Sequence, residues 1–280
     1  MRNEFLTEAD ISGFRMHLLT AEKSAATEQK YIRDVKSFAK FIGCSKITKE
    51  SVIAYKKYLQ ENYTVRSVNS MLASINSLFA FLGRHDLRVK SLKLQQQIFR
   101  PEEKELTKAE YARLCRTAER RHNERLNLIL QTICGTGIRV SELQFITVES
   151  VKQGEAVVSL KGKTRSVFIV KELKKKLLLY AQRQNIKSGM IFVTRTGKPI
   201  SRTSIWREMK ALCEEANVNP GKVFPHNLRH LFARVFYGIE KDIAKLADIL
   251  GHSSINTTRI YIISTGTEHR QRMENMHLII

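Results

Sequence analysis

The sequence predicts a mainly α-helical chain with a small β-sheet, organised as two domains. Hydrophobic residues make up 42% of the 280 residues, which is enough for packed interiors. They recur at helical spacing along most of the chain, whereas residues 157–170 are rich in β-formers on both sides of a basic, glycine-containing turn. Residues 91–105 are polar and basic and include Pro101, which is typical of a linker.

Residues 1–90 predict four helices and no strand. Gly43 and Gly83 stand where the second and fourth helices end, and Thr48 is a favoured N-cap for the third. The apolar stripes of the second, third and fourth helices consist of Tyr31, Val35, Phe38 and Ile42; of Val52, Tyr55 and Leu59; and of Val68, Leu72, Ile75, Phe79 and Leu82. The outer faces carry basic residues suited to binding phosphates, namely Lys30, Arg33, Lys36, Lys40, Lys56 and Lys57.

Residues 106–280 predict a mixed α/β domain. Its first helix begins at a capping box formed by Thr107 and Glu110, and Gly135 and Gly137 break the pattern after a helix over residues 124–134. The segment 157–170 reads as a β-hairpin. Further helices are predicted at 171–185, at 202–216 after Ser201, at 226–238 after Pro225 and at 240–250 before Gly251.

The composition indicates a polyanionic partner. The chain holds 48 Lys and Arg against 27 Asp and Glu, a net charge of +21. Residues 1–100 hold 17 basic and 9 acidic side chains (+8) and the rest 31 and 18 (+13), so the excess is not confined to a tail.

We expect a cytoplasmic protein without membrane contact, because no apolar run is long enough for a span and the first residues lack a secretory signal. The four widely spaced cysteines predict neither a zinc site nor a disulfide framework.

Three segments of the second domain carry candidate functional residues. TGIRVSEL, residues 136–143, places Arg139 after a helix end broken by glycine. FPHNLRHLFA, residues 224–233, places His226 and Arg229 on one helix face. ILGHSSINTTRIYI, residues 249–262, places His252 just past a helix end and Tyr261 nine residues later. Taken singly, each residue also fits a structural role, such as a salt bridge, a helix cap or a half-buried tyrosine.

The second domain contains, in this order, an arginine, a hairpin lysine, His-x-x-Arg, Gly-His and a tyrosine. This order resembles the motif set of the tyrosine recombinase (phage integrase) family, with Xer-type recombinases among its closest likenesses. The resemblance covers nearly the whole chain. It implies that residues 1–90 are a helical core-binding domain and residues 106–280 the catalytic domain. It also implies a site-specific recombinase or integrase that closes around double-stranded DNA as a C-shaped clamp and works as a homotetramer.

The residue types suit that chemistry independently of the family name. Arg139 and Arg229 present forked donors that neutralise a phosphate, so no metal or other cofactor is predicted. Tyr261 would form a 3′-phosphotyrosyl link and release a 5′ hydroxyl, which conserves the energy of the ester. His226 is the candidate proton acceptor, and His252 would donate a hydrogen bond to a phosphate oxygen.

The resemblance assigns protonation of the leaving 5′ oxygen to a hairpin lysine. The turn offers both Lys161 and Lys163 and is one residue shorter than the family pattern Lys-Gly-x-Lys-x-Arg. Matching the strand that enters the turn favours Lys161. Glu142 fits the family's accessory acidic position, and a helix salt bridge explains it equally well. The tail from Thr267 to the apolar tip at 278–280 either folds back on its own core or docks on a neighbouring protomer.

Two other classes of protein fit parts of the sequence. A non-catalytic regulator would use residues 242–262 as a helix-turn-helix, which explains the charge but not the arginines, lysine and histidines in matching order. A relaxing topoisomerase uses similar tyrosyl chemistry. The two-domain layout and the segment GHSSINTTRIY favour recombination.

Overall fold

The computed structural model describes residues 5–93, 104–160, 162–194, 196–262, 270–271 and 273–276. The chain divides into two compact units, Met1–Gln96 and Gln97–Ile280. Most of the proposed linker, residues 91–105, and the apolar tip at 278–280 lie outside the described residues. The domain limits 1–90 and 106–280 therefore stay predictions.

The first unit contains the four helices that the sequence predicts. They are α1 (Glu8–Thr20), α2 (Ala25–Ile42), α3 (Lys49–Asn62) and α4 (Val65–Phe81). Each begins at a hydroxyl side chain that accepts from a backbone N–H of the first turn, supplied by Thr7, Ser24, Thr48 and Thr64. The fourth helix ends at Phe81, two residues before the predicted stop at Gly83.

The core of the first unit is mainly aliphatic and contains a cluster of buried aromatic rings. Phe38 lies 5.1 Å from Tyr55 and 5.8 Å from Phe79, measured between ring centroids.

Two of the basic residues predicted to lie on outer faces are half-buried instead. Lys30 forms an ion pair with the buried Asp34 at 2.9 Å, and Lys56 donates to the carbonyl of Lys90 at 2.7 Å.

The described residues of the second unit form eight α-helices, a two-stranded sheet and a further helical stretch at 270–271 and 273–274. The helices are α5 (Lys108–Arg120), α6 (Glu124–Thr136), α7 (Val148–Gln153), α8 (Lys171–Arg183), α9 (Arg202–Ala211), α10 (Pro225–Glu240), α11 (Ile243–Leu250) and α12 (Ile255–Ile262). Strands β1 (Glu155–Leu160) and β2 (Lys163–Phe168) pair antiparallel, with Glu155 opposite Phe168 and Leu160 opposite Lys163. The predicted hairpin is therefore present.

Several predicted helix limits of the second unit differ from the structure: α8 ends at Arg183 rather than 185, and α10 spans Pro225–Glu240 rather than 226–238. Helix α6 continues through Gly135 and ends at Thr136, because Gly135 keeps helical backbone angles and Gly137 is the residue in the left-handed region. Helix α9 ends at Ala211, since the chain then follows tighter turns whose amides bond three residues back. Helix α11 begins at Ile243 rather than 240, because Asp242 caps it and Lys241 takes a left-handed conformation.

Helix α6 lies at the centre of the second unit. It packs against α5, α8, α9 and α10, and its residues Ile129, Leu130 and Ile133 are fully buried. Helix α10 also contacts α11 and α12. The end of α6, the first turns of α10 and the α11–α12 connection are thereby brought to one place. None of the helices in the described part of the chain has the length and apolar character of a bilayer span.

Candidate active site

The turn that carries Arg139 is shaped by Gly137. This glycine ends α6 with a φ of +66°, and a Cβ there would lie 2.5 Å from the Phe232 ring and 3.0 Å from Leu250. A side chain at residue 137 would therefore clash with α10 and α11 as well as strain the backbone. The close approach places Arg139, two residues later, beside both helices at the start of a 3₁₀ turn, Val140–Phe145.

A buried carboxylate organises this turn. Glu142 accepts from the backbone N–H and the Nη1 of Arg139, at 2.8 and 2.7 Å, and from Nη2 of Arg165 at 2.7 Å. Burial alone would raise the pKa of Glu142, but the hydrogen bonds from Arg139 and the charges of Arg165 and Arg139 bring it below its usual value. Nη2 of Arg139 also donates to the carbonyl of Gly251 at 3.3 Å. Glu142 is therefore ionised at neutral pH and fixes Arg139.

Arg229 lies on α10 with only 2% of its surface exposed. Its Nη1 donates to the carbonyl of Gly137 at 2.5 Å, and its Nη2 donates to the carbonyl of Leu250 at 2.6 Å. These are the carbonyls at the ends of α6 and α11, so the guanidinium joins both helices to α10. The Nε of Arg229 is buried and has no hydrogen-bond partner among the described atoms.

Arg229 sits in a positively charged environment. Burial is the main reason that its pKa is lowered to about 10, and the charge of Arg139 lowers it further. Tyr261 acts in the opposite direction, first through electrostatic attraction and then through the approach of its side chain to Arg229. Arg229 thus stays charged at neutral pH, and Tyr261 is close enough to interact with it.

His252 lies in the connection after α11. Its Nε2 is 3.0 Å from Nη2 of Arg229, and its Nδ1 is 2.9 Å from the hydroxyl of the buried Thr258. Burial lowers the pKa of His252 to about 4, and the charge of Arg229 adds to this, so the ring is neutral at neutral pH. Because a guanidinium can only donate, Nε2 accepts and Nδ1 carries the proton.

Tyr261 lies on α12 among three imidazole rings. The centroid of its ring is 4.8 Å from that of His230, 5.3 Å from that of His226 and 5.3 Å from that of His252. The His230 ring is stacked on it, and its Nε2 is 3.3 Å from the carbonyl of Ile260. Tyr261 is 5% exposed, because side chains of α10 and α11 pack around its ring together with the histidines.

The structure thus brings together five of the six residues that the sequence analysis selected: Arg139, His226, Arg229, His252 and Tyr261. The sixth, Lys161, lies outside the described residues, and its alternative Lys163 begins β2. No group of three or more His, Cys, Asp or Glu side chains in the described ranges is arranged to hold a metal ion.

Sequence reasoning missed three residues of this site. Arg165 was noted only as part of the hairpin pattern, and His230 and Thr258 were not assigned to the site. Each contacts a selected residue from a different part of the fold: Arg165 binds Glu142, His230 stacks on Tyr261, and Thr258 binds His252. A usable signal existed for His230, which directly follows Arg229, since it lies one turn of helix from His226.

Comparison with known families identifies the class of protein. The phage integrase family matches residues 104–268, and the family described as "Phage integrase, N-terminal SAM-like domain" matches residues 6–87. The first match alone covers more than half of the chain. This chain belongs to the phage integrase family.

Individual relatives agree with this assignment. Tyrosine recombinase XerA of Pyrococcus furiosus is 27% identical over 288 residues, which cover 100% of this chain and 98% of the relative. Tyrosine recombinase XerA of Thermococcus kodakarensis is 29% identical over 280 residues, covering 96% and 95%. A lambda integrase dimer bound to a COC′ core site has the same fold, with a TM-score of 0.74 at 17% identity over 93% of this chain and 78% of that chain. The prediction of a tyrosine recombinase is confirmed over that of a non-catalytic regulator.

Proposed function

We propose that this chain is a site-specific DNA recombinase that cuts and rejoins double-stranded DNA through a covalent link between Tyr261 and a 3′ phosphate. The observation that carries the proposal is the position of Tyr261, whose ring packs against those of His226, His230 and His252 and which is close enough to Arg229 to interact with it. A buried nucleophile close to a fixed cation fits an anionic ester as substrate.

The phosphate would be bound by Arg139 and Arg229. Arg229 has a buried Nε with no acceptor, and an unmet buried donor costs about 1–3 kcal/mol, so an incoming phosphate oxygen would stabilise it. Arg139 keeps 40% of its side chain exposed even with its bonds to Glu142. Both guanidiniums are held by protein carbonyls or carboxylate before substrate arrives, which limits the reorganisation needed in the transition state.

Strand cleavage would proceed by in-line displacement. The Tyr261 oxygen forms a bond to phosphorus while the bond from phosphorus to the 5′ oxygen breaks, and the phenol proton passes to His226. The 5′ oxygen takes a proton from a hairpin lysine, for which Lys161 stays our choice and Lys163 the alternative. Attack by a second 5′ hydroxyl reverses these steps on a new strand, with no net consumption of ester bonds.

His252 has to change partners for its proposed role. In this structure its Nε2 accepts from Arg229, whereas binding a phosphate oxygen requires a proton on Nε2. Phosphate can compete for the Arg229 donor, and the imidazole can then carry its proton on Nε2 while the Thr258 hydroxyl donates to Nδ1. The Thr258 hydroxyl serves either tautomer because it both donates and accepts.

Exchange between two duplexes requires four strand cuts, so we propose a homotetramer on DNA acting in the cytoplasm. The regulator alternative rested on residues 242–262, which do form two short helices, α11 and α12. In that segment Leu250 supplies the carbonyl bound by Arg229, and Thr258 and Tyr261 face the active-site histidines. These contacts favour a catalytic over a DNA-reading role for α12.

Replacing Tyr261 by Phe tests the proposal. Candidate target sites are taken from inverted repeats in the DNA that flanks the gene. Each duplex carries a nick, so that the fragment released by cleavage diffuses away and the protein–DNA adduct accumulates. The unaltered protein should give a slowly migrating protein–DNA adduct on a denaturing gel. Tyr261→Phe should bind the same duplex and give no adduct, because it retains the surrounding arginines and histidines but lacks the hydroxyl nucleophile. Tyr180→Phe, a tyrosine change on α8 of the same unit, is the matched control and should form the adduct. An adduct with Tyr261→Phe would refute the choice of nucleophile.

A further inference from the structure

Arg165 joins three elements at the edge of the site. It lies on β2, its side chain is 11% exposed, and its guanidinium makes two short hydrogen bonds. Nη1 donates to the carbonyl of Ile249 near the end of α11, and Nη2 donates to Oε2 of Glu142 in the 3₁₀ turn, both at 2.7 Å. One side chain therefore connects the hairpin strand, the turn that carries Arg139 and the helix that precedes His252.

The stem of the same side chain lies against Gly251. A Cβ at residue 251 would be 2.3 Å from Cδ and 2.8 Å from Nε of Arg165, so only glycine allows this approach. The carbonyl of Gly251 accepts from Nη2 of Arg139. The Gly251–His252 connection is thus held between two guanidiniums, one from the turn and one from the hairpin.

We propose that Arg165 is a positioning residue of the active site, which acts on the phosphate-binding Arg139 through Glu142 and on the His252 connection through Gly251. Its two Nη atoms are committed to protein acceptors, and its Nε, which has no hydrogen-bond partner among the described atoms, is buried against Gly251, so the proposed role needs no contact with the phosphate. The inference rests on the proposed function. It adds a residue from β2 to a site otherwise built from α10, α12 and the helix ends.

The charges around Glu142 support this role and provide a readout. Glu142 faces Arg139 from its own turn and Arg165 from β2, and Arg229 and His252 of the packed elements belong to the same cluster. Without Arg165 the buried carboxylate keeps one cationic partner, so burial raises its pKa. Protonated Glu142 would hold Arg139 less firmly. Cleavage should then decline as the pH falls through that raised pKa, whereas with Arg165 present Glu142 stays ionised.

The experiment compares Arg165→Met, Arg165→Lys, Glu142→Gln and the double variant Arg165→Met with Glu142→Gln. The single-turnover rate of adduct formation on the nicked duplex is measured from pH 5.5 to 8.5 at saturating protein, and duplex affinity is measured separately. Arg183→Met is the matched control. It removes one arginine and its ion pair with Glu124 from the surface of the same unit.

We expect Arg165→Met to bind DNA like the control and to cleave about 100-fold more slowly, since small misplacements of catalytic groups cost about this factor. Its rate should fall further toward acidic pH. The cleavage rate of Arg165→Lys should lie between those of the control and Arg165→Met, because lysine can reach only one of the two acceptors. This variant keeps the test valid if Arg165→Met does not fold. In the Glu142→Gln background the loss of Arg165 should have a much smaller effect, because the partner through which it acts is already altered.

Two results would overturn the proposal: unaltered cleavage by folded Arg165→Met, or a loss that is independent of pH and fully additive with Glu142→Gln. Either requires that the unaltered protein forms the adduct. If the unaltered protein forms none, the proposed function itself fails, and the two failures are thereby distinguished.

Discussion

At the scale of single residues, His252 shows how strongly one hydrogen-bond partner constrains another. Arg229 on one side can only donate, so the imidazole must accept there and donate to Thr258 on the other. The low pKa of His252, about 4, keeps the ring able to accept. Arg229 therefore sets the tautomer of His252 in this structure, and the fully buried Thr258 supplies the acceptor that this tautomer needs.

Replacing Thr258 by Val should slow adduct formation while leaving duplex affinity unchanged. The valine keeps the shape but leaves Nδ1–H of His252 without an acceptor and removes the donor needed for the other tautomer. We expect a decrease of about 10-fold or more, the size found for partners that orient a functional imidazole. Single-turnover adduct assays measure it. Thr258→Ser keeps the hydroxyl and is the control. Equal rates for the valine and serine variants would exclude a role for the hydroxyl.

At the scale of elements, the close approach of α6 to α10 and α11 depends on Gly137. We expect Gly137→Ala to lower the free energy of unfolding by about 2–4 kcal/mol, because the alanine combines a left-handed backbone with overpacking against Phe232 and Leu250. Urea unfolding followed by circular dichroism measures the change. The matched control is Gly189→Ala, which has a φ of +75° but no atom within 4 Å of the added Cβ.

The control separates the two causes at Gly137. Gly189→Ala should lose only the backbone contribution, about 1 kcal/mol. Equal losses for the two variants would contradict the close packing of the α6 end against Phe232 and Leu250. If Gly137→Ala folds, its active site should also cleave more slowly, since the turn that carries Arg139 has moved.

Local sequence signals predicted the helices and strands better than they predicted the tertiary contacts between them. The capping box at Thr107 and the end of α11 at Gly251 were predictable, because each depends on residues within one turn. The end of α9 was predicted too late, since the buried Leu212, Cys213 and Ala216 continue the apolar pattern while the backbone bonds tighten. Arg165 could not be assigned its role, because its acceptors lie 23 and 84 residues away.

At the scale of the whole molecule, the positive charge is present in both parts of the chain, +8 in residues 1–100 and +13 in the remainder. The basic residues differ in how they are used. Lys36 and Lys40 on α2 are exposed, while Lys30 on the same helix is bound to Asp34 and Ser74. The arginines of the active site are held by protein acceptors, with Arg229 buried and Arg139 partly exposed. Exposed cations are screened by salt far more than buried ones.

Salt should therefore weaken DNA binding steeply and leave the chemical step nearly unchanged. With about six to ten phosphate contacts, affinity should fall about 10³–10⁵-fold between 50 and 200 mM salt. Tyr261→Phe allows this to be measured by equilibrium titration without adduct formation. Lys36→Gln and Lys40→Gln should each reduce the log–log salt slope by about 1, and Lys30→Gln by less. Single-turnover cleavage at saturating protein should change little over the same range, because Arg139, Arg229 and Glu142 interact inside the fold. A slope near zero, or cleavage that loses rate in parallel with affinity, would contradict this division between surface binding and buried chemistry.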